Sequence, residues 1–381
     1  MQTPLEFLLE PVSPQEFWNA SYGQRALHIP GNSAKFSQLF GWAGLNHVLN
    51  SAPHPHPGLK MTHAGTQFVP HDPTALIRAV QDGATLILED LDRYDLRLGD
   101  FLSRLTEELQ EDTRFNLYVS YPEHQGYKNH YDTHDFFILQ LEGFKEWQVF
   151  PSTISSPLFF QKTHDRTPPP ETSRYLHCTL SPGDLLYVPK GHWHYAIARR
   201  ATSVHLTLAL FTKTGISFAK WLADELTDYE LFRRSLPLQL DPRSNIVIQE
   251  LRREIITVLE EPDLYDRFLQ YRTATSRNRQ PFQFPQHTTE EACEWDGTGQ
   301  VSRRAQLSAI VAGQTPESVR LVCAGRTIQF DRRLEPLLRH IFAAPSVTRA
   351  ELEAAVPALT WAEIQAALHP LLREGFVALE T

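Results

Sequence analysis

Cysteine is scarce in this chain. Only Cys178, Cys293 and Cys323 occur in 381 residues, and no two form a C-x-x-C pair. This excludes a disulfide scaffold or a zinc ribbon and fits a reducing cytoplasm. Long apolar runs are also missing. No stretch approaches the roughly 20 apolar residues that a membrane-spanning helix needs. The opening Met1-Gln2-Thr3-Pro4-Leu5-Glu6 lacks the basic and apolar regions of a signal peptide. A cytoplasmic protein with no membrane attachment is therefore expected. A basic excess is absent as well. The formal net charge of -9 argues against a general nucleic-acid binder and would steer basic polypeptides toward the chain. No internal repeat or low-complexity tract is evident.

What is present divides into regions. At 381 residues with 41% hydrophobic content, two or three domains with a sizeable core are expected. Residues 1–212 alternate short apolar runs with turns. Ser13-Pro14 starts a helix, with serine as cap and proline at the first helical position. Ala26-Leu27-His28-Ile29 and Ala84 to Leu88 read as strands, Leu98 to Glu108 as a helix, and Pro151 to Pro170 as a proline-rich surface loop. From Ile216 to Arg277 the period changes. Phe218, Trp221, Leu222 and Leu226, then Ile248, Leu251, Ile255, Val258 and Leu259, recur at helical spacing. Residues 213–277 are thus a helical region, 278–300 a polar linker containing Gln283-Phe284-Pro285-Gln286-His287, and 301–381 a terminal module. In that module strands at Ser318 to Cys323 and Thr327 to Phe330 precede three helices and a final strand, an order that predicts a winged helix. The recognition-helix position, Trp361 to Leu368, carries one acid and neither lysine nor arginine, which argues against DNA reading.

The chemistry concentrates in two segments. His130-Tyr131-Asp132 lies in strand-like sequence, and residues i and i+2 of a strand share a face. An H-x-D triplet among 17 histidines is weak alone. About sixty residues later, the turn Ser181-Pro182-Gly183-Asp184, the apolar Leu185-Leu186-Tyr187-Val188 and the turn Pro189-Lys190-Gly191 deliver His192 and His194. Two imidazoles and one carboxylate form a facial triad that suits Fe(II) and leaves positions open. His192 and His194 have the same parity, so alternation does not choose between them. His124, His134 and His205 are further candidates by composition.

These segments resemble the JmjC-type ribosomal oxygenases, cupin-fold 2-oxoglutarate/Fe(II) hydroxylases of ribosomal proteins. The family pattern runs N-x-Y, H-x-D, F-x-x-Q-x-x-G-x-K/R-x-W, P-x-G-x-x-H. It is met in order by Asn116 to Tyr118, His130 to Asp132, Phe137 to Trp147 and Pro189 to His194, within a match over residues 116 to 210. The resemblance implies a mainly β catalytic domain, a cupin/JmjC double-stranded β-helix, followed by a helical dimerisation region and a C-terminal winged-helix-like α+β module. It also implies His130, Asp132 and His194 as iron ligands, with O2 and 2-oxoglutarate as co-reactants. Lys145 and Tyr118 would hold the far carboxylate of 2-oxoglutarate, and Thr207 would form a polar wall. His205 is read as a satisfied barrel histidine, and Trp147 and Trp193 as packing. The expected partner is a ribosomal protein or other polypeptide, hydroxylated at an arginine or histidine side chain. Demethylation follows from the same chemistry but is the less favoured outcome. A homodimer is expected.

Two other classes are weighed against this. A cupin dioxygenase that does not use 2-oxoglutarate would leave Lys145 a buried unpaired charge. A non-catalytic regulatory protein would have no need of both the ligands and Lys145.

Overall fold

In the computed structural model, residues 2–124, 126–237, 244–275, 284, 286–289, 293–304, 308–312, 315, 317–323 and 326–380 are described. The chain separates into two compact units, residues 1–212 and 213–381.

The first unit is built on nine strands: β1 (Leu27–Ile29), β2 (Leu59–His63), β3 (Thr66–Phe68), β4 (Thr85–Leu88), β5 (Asp112–Ser120), β6 (Asp135–Ser152), β7 (Leu176–Leu180), β8 (Leu185–Val188) and β9 (His192–Phe211). Every pairing is antiparallel, in the order β1-β8-β6-β9-β5-β4-β2-β3 with β7 against β6. Alternation gives each strand two faces. Phe115, Leu117 and Val119 of β5 and Val204, Leu206 and Leu208 of β9 turn outward. They pack with Leu5, Leu8, Phe17, Phe101 and Leu105 from flanking helices. Each such side chain contributes about 1.5–3 kcal/mol on burial. The opposite face carries Asn116, Tyr118, Thr207 and His205. The first three keep some solvent access while their outward neighbours are buried, so this inner face is the less tightly packed one.

Helix ends follow their caps. Ser13 accepts from the Glu16 amide at the start of Pro14–Ala20, and Asp95 accepts from the Leu98 amide at the start of Leu96–Leu109. Helices Pro4–Leu9, Trp42–Ser51 and Pro73–Gln81, and the β2–β3 hairpin, add to the elements read from sequence.

The turn before β8 is a fixed point. Gly183 has φ 92, and a Cβ there would fall 1.8 Å from Asn32 O. Asp184 next to it accepts from the amides of Gly31 and Ser181, both at 2.9 Å. Gly183→Ala is expected to destabilise the protein by more than about 1 kcal/mol from backbone strain, with the clash adding to it. Urea unfolding followed by tryptophan fluorescence checks this. An unchanged midpoint would show that the turn tolerates a side chain.

In the second unit, helices Gly215–Glu225, Ser244–Leu259 and Leu264–Thr275 gather Trp221, Leu226, Val258, Leu264 and Phe268 into a small core. The stretch read as a linker, 278–300, lies partly outside the described residues, Gln283 and Pro285 included, as does Arg277. Beyond it, β10 (Gln300–Arg303) pairs with both β14 (Ser346–Thr348) and β15 (Val377–Glu380). A separate sheet joins β11 (Ser308–Ala312), β12 (Ser318–Cys323) and β13 (Arg326–Asp331). Helices Glu335–Ala343, Arg349–Ala355 and Trp361–Arg373 fill the space beside them. The last two open with capping boxes at Thr348 and Thr360. No helix among the described residues is long and apolar enough to cross a membrane.

Candidate metal centre

The site begins with one pair of backbone hydrogen bonds. The amide of His130 donates to His194 O at 3.1 Å, and that of His194 donates to His130 O at 2.7 Å. This antiparallel bridge sets the two imidazoles on one face, with ring centroids 4.4 Å apart. Two residues on, Asp132 O accepts from the Gly191 amide at 2.8 Å. Its carboxylate is brought back to the same face, 3.6 Å from His194 Nε2. One ligand atom from each of His130, Asp132 and His194 lies within 4.8 Å of the others.

The electrostatics fit a divalent cation. The Nδ1 atoms of His130 and His194 meet backbone carbonyls, Lys128 O at 2.8 Å and His192 O at 3.0 Å. A carbonyl only accepts, so each Nδ1 carries a proton, and Nε2 is the ring atom left facing the centre. Burial, with the neighbouring His130, pushes the His194 pKa down to about 3, so it stays a neutral ligand. Burial pushes the Asp132 carboxyl up, but His134, His130, His194 and Lys162 outweigh this and keep it below its ordinary value. Two imidazoles and one carboxylate therefore converge as a metal-ready set.

The remaining histidines go elsewhere. His192 Nδ1 pairs with the Tyr175 hydroxyl at 2.6 Å. His124 lies by Gly83 and His63, and His134 packs 4.7 Å from the Phe211 ring. The proline-rich insert buttresses the centre. Thr163 Oγ1 donates to Tyr131 O at 2.9 Å and accepts from the Tyr131 amide at 3.2 Å, and the Tyr131 hydroxyl donates to Gln161 O at 2.8 Å. Tyr131, between two of the clustered residues, is thereby clamped from both sides.

Deeper on the inner face stands Lys145, 6% exposed. Its Nζ donates to Ser120 Oγ at 2.8 Å, and no carboxylate among the described residues pairs with it. Burial lowers its pKa from 10.5 to about 7. Tyr118 stacks on His205 at 5.0 Å with rings 2° from parallel, and Trp147 meets His205 edge-on at 5.9 Å. Burial and the nearby Lys145 charge hold His205 well below its ordinary pKa, hence neutral. His205 Nδ1 and Trp147 Nε1 are both buried without a hydrogen-bond partner among the described residues. His205 is therefore not the satisfied barrel histidine that sequence predicts, while Trp147 packs with Phe136, Ile138 and Val149 and leaves its Nε1 unpaired. Trp193 does pack, against Tyr131, with its Nε1 on Thr153 Oγ1. Thr207 lies two residues beyond His205 on the same face, opposite Asn116. Ser120, absent from the sequence reading, is Lys145's partner. The inner face beside the metal-ready trio thus carries one lysine, one phenol and two unpaired ring nitrogens.

Comparison with known proteins agrees with this architecture. Residues 95–217 match the JmjC domain family. "Ribosomal oxygenase 1" from Gallus gallus is 31% identical over 220 residues, spanning 55% of this chain and 37% of that protein. The Homo sapiens protein of that name is 29% identical over 226 residues, spanning 55% and 34%. A "Bifunctional lysine-specific demethylase and histidyl-hydroxylase NO66" from Dictyostelium discoideum is 25% identical over 220 residues, spanning 54% and 42%. The match thus spans well under half the length of these relatives. Among solved structures, the Escherichia coli ribosomal oxygenase YcfD superposes with a TM-score of 0.66 at 15% identity, covering 97% of this chain and 99% of that one. A YcfD complex with cobalt and 2-oxoglutarate gives 0.66 at 16%, covering 97% and 99%. The fold is shared with these structures.

Proposed function

We propose that this chain, which carries a JmjC domain, is a 2-oxoglutarate- and Fe(II)-dependent oxygenase that hydroxylates an arginine- or histidine-type side chain in a ribosomal protein or other polypeptide. The observation that carries the reading is Lys145, a buried ammonium with no counter-charge, on the inner face beside a two-histidine, one-carboxylate cluster. A buried cation without a partner costs several kcal/mol unless a ligand supplies the anion. A dicarboxylate reaching from the cluster to Lys145 does so.

His130, Asp132 and His194 would hold the metal on one face, as the facial triad does for Fe(II). When bound, Fe(II) supplies O2 activation coupled to oxidation of 2-oxoglutarate. The chain's own residues position and exclude. Lys145 would take the far carboxylate, Tyr118 would donate its hydroxyl to it, and Thr207 would line the wall. Phe136, 4.9 Å from the His194 ring, and Trp147, 6.0 Å from it, keep that side dry. No protein nucleophile is required.

The C-terminal elements, three helices beside the β10-β14-β15 sheet, are read as a winged-helix-like module with a structural or protein-contact role rather than DNA binding. Ile246 and Ile248, 56% and 53% exposed on the helix Ser244–Leu259, support a homodimer through the helical region. A cytoplasmic location fits the free cysteines.

Anaerobic titration with Fe(II), with and without 2-oxoglutarate, tests the assignment. A weak visible charge-transfer band that requires both components is expected. Iron binding without the band favours a cupin dioxygenase that does not use 2-oxoglutarate, and no iron binding refutes an iron enzyme altogether.

A further inference from the structure

The inner face carries a carboxylate outside the roles above. Glu89 directly follows β4. Since Ile87 pairs with Tyr118 and Leu88 with Leu117, alternation turns Glu89 to the face of Tyr118. One step along the register it stands beside Asn116, whose Oδ1 accepts from the Asp90 amide at 3.0 Å. β9 extends this row with Thr207 opposite Asn116. Glu89, Asn116 and Thr207 thus form one row across three adjacent strands of the inner face, roughly 10 Å from end to end.

The strand end is held in place. The Glu89 amide donates to Gly58 O at 2.9 Å, and a Cβ on Gly58 would lie 2.5 Å from Glu89 O. Asp90 has φ 50, a left-handed conformation that aspartate adopts more readily than most non-glycine residues. Lys60 Nζ reaches one Glu89 oxygen, Oε2, at 2.6 Å. Nothing else among the described residues bonds the carboxylate. The Tyr127 ring lies 5.4 Å from that of His130. Burial raises the phenols of Tyr118 and Tyr127, and Asp132 and Glu89 add to the effect at both. Both carboxylates are thus felt by the same two phenols.

We propose that Glu89 is a specificity-determining residue that reads a guanidinium on the substrate side chain. This rests on the function proposed above. An arginine entering at this row would lay its fork of N–H donors on the free edge of Glu89 and its flat face toward Tyr127. Its aliphatic carbons would then point to the metal-ready trio. A neutral imidazole or a urea group offers no charge to match the carboxylate and gains less.

The test uses the full chain loaded anaerobically with Fe(II) and 2-oxoglutarate. N-acetyl-arginine methylamide and its uncharged isostere N-acetyl-citrulline methylamide are titrated in, and the perturbation of the visible band is followed. In the wild type the arginine compound should half-saturate at a concentration about tenfold or more below that of the citrulline compound. Glu89→Gln should abolish that preference while leaving the unliganded band and the 2-oxoglutarate requirement unchanged. Lys60→Met, which removes the competing ammonium, should strengthen it. Equal response to both compounds, no response to either, or a preference that survives Glu89→Gln overturns the role of Glu89. Absence of the band in the wild type fails earlier, at the proposed function, and takes this inference with it.

Discussion

Asp132→Ala is expected to lower metal affinity by more than about a hundredfold and to abolish turnover. The cluster has one anionic donor, so the carboxylate supplies all the negative charge that the protein offers a dication. Loss of a group that merely orients a ligand commonly costs ten- to a hundredfold in affinity, and Asp132 is itself in the donor set. Its removal should push the already lowered His194 pKa further down, because the Asp132 charge is what favours the protonated imidazole against burial; that ring stays neutral at pH 7 and the loss is one of charge, not of fold. Circular dichroism should therefore match the wild type while Fe(II) binding, measured by competition with a chelator, collapses. Retention of wild-type iron affinity would remove Asp132 from the ligand set. His192→Ala provides the contrast: its Nδ1 faces Tyr175 rather than the cluster, so iron affinity should change little.

The cluster was largely legible in sequence because its geometry is local. His130 and Asp132 are two apart, and His194 follows a turn, a strand and a turn whose glycines, Gly183 and Gly191, both sit at positive φ. An inward-facing Lys145 was expected only through resemblance to a family, and the reason lies in one irregularity. Phe136, Ile138 and Gln140 face inward by alternation, which would turn Lys145 outward. The register of β6 on β9 shifts between Gln140 and Glu142 and again between Glu142 and Phe144. Gly143, at φ 66 with Thr202 O only 2.1 Å from where a Cβ would stand, makes that bulge possible. The parity flips there, and Lys145 and Trp147 come inside. Ser120 and His205 join them from β5 and β9, whose pairing across eighty residues of chain no local pattern reveals. The helices Trp42–Ser51 and Pro73–Gln81 escaped for a different reason: few of their residues are buried, so their apolar period is short.

Lys145→Met is expected to weaken 2-oxoglutarate binding by about thirtyfold or more, the usual consequence of removing one partner of a buried charge pair, with iron binding intact. The same substitution should make the ligand-free protein more stable, because it replaces an uncompensated ammonium with an apolar chain of similar length. Opposite signs on affinity and stability are the signature of a group kept for binding. The pH dependence follows from the same burial. Lys145 titrates near 7 in the folded chain and near its ordinary 10.5 when unfolded. Between those values the unfolded chain binds more protons, so Lys145 makes ligand-free stability rise with pH from about 7 to 10.5 and contributes no slope below 7. A bound dicarboxylate reverses the preference by stabilising the ammonium. Above pH 7 its binding must therefore take up a proton, and affinity should fall by up to about tenfold per pH unit. Isothermal titration at pH 6.5 and 8.5 in buffers of different ionisation enthalpy measures both the affinity and the proton uptake. An affinity that is flat over this range in the wild type, or one that keeps the same slope in Lys145→Met, would place the carboxylate away from Lys145.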